Sequence, residues 1–499
     1  MSLNVLNDSG SAQGAMTNSV DVVSLKRNLI ITLGFILTVV LSCLTVISGN
    51  PLFMLAFVAL PLILILLYYP SIAFVMAFIM DATGMAIPGV SYTTLGLVAK
   101  LIVLLTFTLA FFLRAKKNES LDVPEEKPLK WLVFIIFILM VFRGSGLRML
   151  GSSTWGGMAY IVLLIGIFFF FVVRNVTLSD KQLKTMIWGM GIAGLLGSLF
   201  DRTGWIASTA GASENVTSRI SWLQPFVWGA IPLVFASKWK FGFKIILWIA
   251  LLALMAMTGF RSKLVGLISI TIIYGFFSSR SKAKYVFSTL IIGAFLWGLI
   301  VVASPMLPRG IQRTVSFIPG ISIGYGAAKD AQGSIEWRLE IWRYCLDKCH
   351  DYLLIGRGSA FEVMETAAGL GINDIQTYSP FFAFETRSYH SGPLALLIDY
   401  GIPGLVIASW FMILLLRRFW RYGVLFGSVD SFACRYALYW SAFMIWHIIS
   451  FYLVYGSMVN FANRIVGFSA LAFVVAESAI ILIKRGNVEV NKQQTLKLR

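Results

Sequence analysis

The sequence predicts an all-α fold, a polytopic membrane helical bundle of about 12–14 spans with one long, partly helical external loop. Three observations predict it. Of 499 residues, 58% are hydrophobic and only 13% charged, whereas about a quarter of a soluble domain is charged. Apolar runs of the roughly 20 residues that cross a hydrocarbon core recur along the chain. Basic residues collect in every second connection between those runs, the pattern that sets membrane orientation.

In order, residues 1–27 read as a polar, disordered cytoplasmic tail. Lys26 and Arg27 precede an apolar stretch from Leu29 to Ile47, too long for a signal-peptide core and so expected to be an uncleaved first span. The bundle occupies 28–305 with about eleven spans: 28–48, 51–69, 71–89, 92–113, 130–143, 155–173, 182–200, 222–236, 243–259, 263–278 and 285–305. Residues 306–392 form an external (periplasmic) loop. Three last spans follow at 393–416, 431–455 and 464–483, within 393–483, and 484–499 is a second cytoplasmic tail. Lys26/Arg27, Arg114/Lys116/Lys117, Arg174/Lys181/Lys184, Lys238/Lys240/Lys244, Arg280/Lys282/Lys284, Arg417/Arg418/Arg421 and Lys484/Arg485 then share one side. By the positive-inside rule that side is the cytoplasm, with both termini on it.

The net charge of +18 is accounted for by these connections. No groove-reading motif accompanies it, so nucleic acid is excluded as a partner; the expected surroundings are the lipid bilayer. Four cysteines are present. Cys43 and Cys434 lie in or beside apolar runs. Cys345, Cys349 and His350 have the wrong spacing for haem attachment and lack a fourth zinc ligand. Two cysteines four apart on one helix make a poor disulfide, so free thiols are expected, with no metal and no cofactor. No internal repeat of the kind that builds many transporters is visible.

The external loop holds eight Lys/Arg and nine Asp/Glu, and a loop of this length inside a compact fold is usually functional. Ser334 to Cys349 reads as an amphipathic helix capped by Ser334, with Ile335, Leu339, Trp342, Leu346 and Cys349 on the face toward the bundle. On a wheel of about 100° per residue, Arg338 lies about 60° from Ile335 and about 40° from Trp342, on the flank of that face. An arginine there calls for an anion. That anion is either a loop carboxylate or a ligand.

Other candidates for chemistry stand near the same side. His390 opens the next span and is one of only three histidines. Asp399 lies about 13 Å along the helix from it, where an ionisable group must be paired or wet. Gly401 and Gly404 follow and permit close helix approach. Arg261 and Lys263 sit at the outer end of a span, either as helix anchors or as ligand contacts. Gly356-Arg357-Gly358 is a turn that could approach a phosphate. Asp81 and Lys100 lie at matching depth on consecutive spans, which predicts a structural intramembrane ion pair. Glu477 is expected to snorkel or pair locally. A guanidinium fork matches phosphate oxygens, fixed cations stabilise a departing diphosphate, and an imidazole can take a proton from a hydroxyl.

His390-Ser391, nine residues, then Gly401-Ile-Pro-Gly404 resembles the signature of the O-antigen ligases, O-antigen polymerases and related bacterial oligosaccharyltransferases. Asp399, two residues before the first glycine, resembles that family's acidic position. Arg338-Leu-Glu-Ile-Trp342 followed by Gly356-Arg357-Gly358 resembles its arginine, tryptophan and G-x-G stretch. Phe260-Arg-Ser-Lys263 resembles its Ser-Arg segment, with Val265 where a leucine is usual. The resemblance implies a bacterial inner-membrane enzyme and metal-independent inverting transfer from undecaprenyl diphosphate. It implies His390 as the catalytic residue, Arg338 and Arg261 as diphosphate ligands, and Asp399, Arg357, Gly401 and Gly404 as support.

The sequence is thus read as a glycosyltransferase that moves a lipid-linked glycan to a hydroxyl on a second glycan, a lipid A core or a protein. Those three acceptors stay open, because acceptor pockets carry no short motif. The other reading is a polysaccharide or small-solute transporter without catalysis. Many spans suit it; the loop with its His/Arg set speaks against it.

Overall fold

The computed structural model describes Val75 and residues 123–143, 158–173, 176–202, 223–257, 261–307, 311–312, 315–316, 318–358, 379–453 and 456–484. The expected spans at 28–48, 51–69, 71–89 and 92–113, with Cys43, Asp81 and Lys100, lie outside these residues apart from Val75. The fold is all-α and polytopic, with no strand among the described residues.

Each apolar run in the described part has become a helix. They are α1 (Glu126–Phe142), α2 (Met158–Val173), α3 (Asp180–Arg202), α4 (Gln224–Ala236), α5 (Phe241–Met257), α6 (Arg261–Ser278) and α7 (Lys282–Ala303). The loop supplies α8 (Tyr325–Lys348) and the short α9 (Pro380–Glu385). The chain then re-enters the bundle as α10 (Gly392–Phe426), α11 (Phe432–Leu453) and α12 (Phe468–Lys484). A π-helical turn, Phe461–Gly467, leads into α12.

Five described segments are long and apolar enough to cross a membrane: Arg261–Ser278, Lys282–Met306, Gly392–Phe426, Phe432–Leu453 and Phe461–Lys484. α11 lies at the centre, buried along most of its length. Rings interlock between its neighbours: Phe170 of α2 meets Phe411 of α10 at 5.8 Å and Phe473 of α12 at 5.6 Å, both edge to face. Such pairs supply dispersion where lipid removes any hydrophobic drive between helices. α7 buries none of its residues, as a helix bathed in hydrocarbon on every side would.

α10 is longer than its expected span of 393–416 and is made of two parts. Gly401 has φ 69° and ψ −175° and interrupts the helix. The cause is local. Pro403 has no N–H to give to the carbonyl of Asp399 and its ring would collide with that carbonyl. Gly401 takes up the distortion in a region essentially closed to other residues. At the far end of the same helix, Arg418 makes two hydrogen bonds of 3.1 Å to the carboxylate of Glu125 at the start of α1. One turn on, Tyr422 donates to Glu477 of α12. Glu477 therefore pairs inside the bundle.

The loop helix departs from its expected boundaries and face. It begins at Tyr325, so Ser334 is internal and not a cap. Ile335 (52% exposed), Leu339 (43%) and Leu346 (56%) face outward. The packed face carries Ile341 and Cys345, with Trp337, Trp342, Tyr344 and Cys349 beside them. This is a rotation of roughly a quarter turn from the expected face at 100° per residue. The reason is what the helix packs against. Ala383, Phe384, Tyr389, Ala395 and Ile398 form that wall, and it accepts ring edges and a small thiol in place of a leucine row. The rotation carries Arg338 from the flank into the packed face.

Candidate functional site

The interruption in α10 creates the first part of the site. Breaking the helix frees two carbonyls and one N–H, which cannot stay unpaired inside a bundle. The stretch Leu353–Gly358, which ends in the Gly356-Arg357-Gly358 turn, satisfies them. Arg357 N–H donates to Ile398 O at 2.7 Å, Gly358 N–H to Asp399 O at 2.9 Å, and Ile402 N–H to Leu353 O at 2.8 Å. A Cβ on Gly356 would collide with the Asp399 carbonyl, and one on Gly401 would stand 2.9 Å from Leu353 O. The two glycines are thus the price of one joint.

Arg143, just past α1, holds the turn from the other side. Its Nε and Nη2 donate to the carbonyls of Gly356 and Ile355 at 2.9 Å each. The Arg357 side chain is engaged within the protein. It pairs with Glu385 and donates to Phe384 O, and its guanidinium covers the Phe384 ring at 4.4 Å. Gly404 lies against Tyr400 in its own helix.

The second part is the reversal 386–391 between α9 and α10. Arg387 and His390 have φ of 59° and 53°, a left-handed conformation uncommon outside glycine. Between them Tyr389 is fully buried. Its hydroxyl donates to Asp399 Oδ1 at 2.8 Å, and Arg387 Nε lies 3.6 Å from the same oxygen. Burial and the neighbouring carboxylate push the Tyr389 hydroxyl well above its usual range, so it stays protonated as a donor. Asp399, 1% exposed, is therefore compensated by a cation and a hydroxyl, as a buried charge must be.

The third part is α8. Trp342 Nε1 donates to Tyr389 O at 3.0 Å, which ties the helix to the residue before His390. One turn earlier, the Trp337 ring meets the His390 ring at 5.0 Å in an edge contact. Arg338 follows Trp337 and stands beside the imidazole. Burial, aided by the Arg338 charge, holds the His390 pKa below its ordinary value. Near pH 7 the imidazole is accordingly neutral and able to accept a proton. Arg338 itself is half-buried, and its Nε is buried with no hydrogen-bond partner. No ion pair joins it to a carboxylate among the described residues. A buried donor left in this state costs about 1–3 kcal/mol, more when charged, which an incoming anion would offset.

The structure therefore brings His390 and Arg338 together, sets Asp399 behind them, and uses Arg357, Gly401 and Gly404 in the joint beneath. Arg261 opens α6, two residues before Lys263, which is within electrostatic reach of Arg464 in the π-helical turn. The segment from Gly456 to Arg464 connects the two places. A Cβ on Gly456 would touch Gly392, the second residue after His390. Arg464 stands eight residues further along the chain, within the π-helical turn.

Sequence reasoning missed Arg387, Tyr389 and Arg143. Arg387 and Tyr389 could have been suspected from polar residues crowded directly before a span. Arg143 could have been suspected as a cation on the side where cations are scarce. Among the described residues Cys345, Cys349 and Cys434 are free thiols, and burial pushes the Cys345 thiol up to about 12, which keeps it from acting as a thiolate. Among the described residues no three His, Cys, Asp or Glu side chains gather as metal ligands.

A polytopic all-helical membrane protein with a cation and a neutral imidazole converging at one end of its bundle defines the class. Within that class the chain resembles the O-antigen ligase family: the sequence profile described as O-Antigen ligase matches residues 245–409. The matched stretch runs from α5 through the loop to the middle of α10 and includes Arg261, Arg338, Arg357, His390, Asp399, Gly401 and Gly404. It supports a membrane glycosyltransferase-like function. No curated protein matches the chain.

Proposed function

We propose that the chain transfers a glycan from undecaprenyl diphosphate to a hydroxyl acceptor on the outer face of the bacterial inner membrane, by inversion and without a resident metal. The observation that carries this reading is Arg338, whose buried Nε has no hydrogen-bond partner, beside a half-buried, neutral His390. The donor lipid lies in the outer leaflet with its diphosphate toward Arg338 and Arg261. His390 takes the proton of the acceptor hydroxyl as its oxygen attacks the sugar C1 opposite the diphosphate. The C1–O bond to the diphosphate breaks, and its electron pair leaves with the lipid diphosphate. The arginines stabilise the charge that gathers there. The orientation is supported by Lys238, Lys240, Arg280, Lys282, Lys284 and Lys484, which stand at or between helix ends, and by Arg417 and Arg421, which lie in the half of α10 remote from His390 in the chain. A second glycan, a lipid A core and a protein hydroxyl all suit this chemistry as acceptors.

The test is transfer by the purified protein in lipid nanodiscs, supplied with a polyprenyl-diphosphate oligosaccharide and each acceptor class in turn. Product formed by the wild type and lost in His390→Ala is the expected result. Full activity in His390→Ala overturns the mechanism. Glycan flux across vesicles without any transfer would identify a carrier instead.

A further inference from the structure

We infer that Asp399 is a positioning residue for His390, acting through Tyr389 and Arg387. This rests on the transfer reading above and deepens it. The reversal 387–390 holds two non-glycine residues at positive φ, and such backbone survives only where the surroundings over-determine it. Here they do so along its length. Arg387 N–H donates to Phe384 O at 3.3 Å, and Ser388 N–H to Ala383 O at 2.8 Å. Tyr389 O receives the Trp342 indole N–H at 3.0 Å. The strongest hold comes from below: side chains of residues 387 and 389 both reach one carboxylate oxygen, at 3.6 Å and 2.8 Å.

That carboxylate is itself immobilised. Asp399 is the third residue before the α10 interruption's Ile402, and its own carbonyl is bound by Gly358 N–H. Residues 387 and 389 are thus drawn down to Asp399, and His390 is directed to Trp337 and Arg338 of α8. Asp399 is 1% exposed and nine positions along α10 from the histidine, so it touches no reacting atom. Trp337 and Arg338 from α8 face the imidazole, whereas the charged and titratable groups of its own segment, Arg387 and Tyr389, turn to Asp399 on α10.

The test uses the full chain in nanodiscs with Tyr389→Phe, Asp399→Asn and Arg387→Lys. Two quantities are read. One is kcat and donor KM for transfer. The other is the pH midpoint for carbethoxylation of His390, followed on its peptide by mass spectrometry and independent of activity. Tyr389→Phe removes one hydroxyl at constant shape. It should lower kcat about 10- to 100-fold, the scale of a misplaced catalytic group, with donor KM changed less than about threefold. The His390 midpoint should rise toward that of free imidazole as the ring leaves Arg338. Arg387→Lys, which keeps the charge, should retain more activity than Asp399→Asn. A kcat and a midpoint both within twofold of wild type in folded Tyr389→Phe overturn the inference. Should Asp399→Asn fail to fold, Tyr389→Phe still decides. Should the wild type transfer nothing, the midpoint alone decides, and only the functional reading falls.

Discussion

The two ends of α10 handle buried charge in opposite ways. At the end near Phe426, Arg418 is matched to Glu125 by two hydrogen bonds, and Tyr422 to Glu477 by one; the helix between them is regular. At the end near Gly392 the helix is broken at Gly401, the adjoining backbone is left-handed at Arg387 and His390, and Arg338 has a buried nitrogen with no acceptor. At the first end Arg418 and Tyr422 each meet a carboxylate; at the other the Arg338 Nε meets none. Satisfied ion pairs hold helices together. On the proposed function, an unsatisfied cation beside strained backbone holds an interaction in reserve for the incoming diphosphate.

The largest effects are expected at Arg338 and His390. Removal of either should cut transfer by about 10²–10⁴-fold, the scale of losing a general base or a charge-stabilising donor. Extraction and thermal unfolding should stay as in wild type. Arg338→Lys should also be impaired, since a point charge does not reproduce a planar fork. Arg338→Met should leave the melting temperature unchanged or raise it, because no partner is orphaned; a marked fall would make Arg338 structural.

Arg418→Ala should do the reverse. It leaves Glu125, 1% exposed, without its cation, for which a loss of about 3–5 kcal/mol is expected. Activity per folded molecule should persist. Replacing both partners by apolar residues should recover much of the stability. Thermal unfolding in detergent, followed by size-exclusion chromatography, measures both.

A smaller effect is expected from Gly401→Ala. The side chain would enter a glycine-only region, for about 1–3 kcal/mol, and press on Leu353 O. Unfolding measurements should register that loss, and transfer should weaken because the turn that steadies Asp399 is displaced.

The finest test is pH. The transfer rate should rise with pH through a midpoint below the ordinary histidine value of about 6.5, because only neutral His390 accepts a proton and burial with Arg338 disfavours the charged form. Activity is then lost as pH falls through that lowered midpoint. Arg338→Gln should move the limb to higher pH in whatever activity remains.

Much of this was legible in the chain because it depends on neighbours in sequence. Apolar runs of span length became α2 to α7 and α10 to α12 near their expected positions. The Gly-Ile-Pro-Gly stretch announced an irregularity in α10, although its purpose differs from the expected close helix approach: it frees backbone groups that capture the Gly356-Arg357-Gly358 turn. The orientation of α8 was not legible. Its apolar residues suggest more than one buried face, and the wall formed by Ala383, Phe384 and Tyr389 chose between them. Nor could the sequence pair Glu125 with Arg418, which are separated by 293 positions.

By itself the sequence determined where lipid-compatible helices form and which residue types can bind a phosphate or move a proton. Hydropathy and side-chain chemistry are properties of single residues and short segments, so they are written locally. Only the tertiary structure decided which cations are matched and which is left waiting. Pairing depends on what distant segments bring within about 4 Å, and no local pattern encodes that distance.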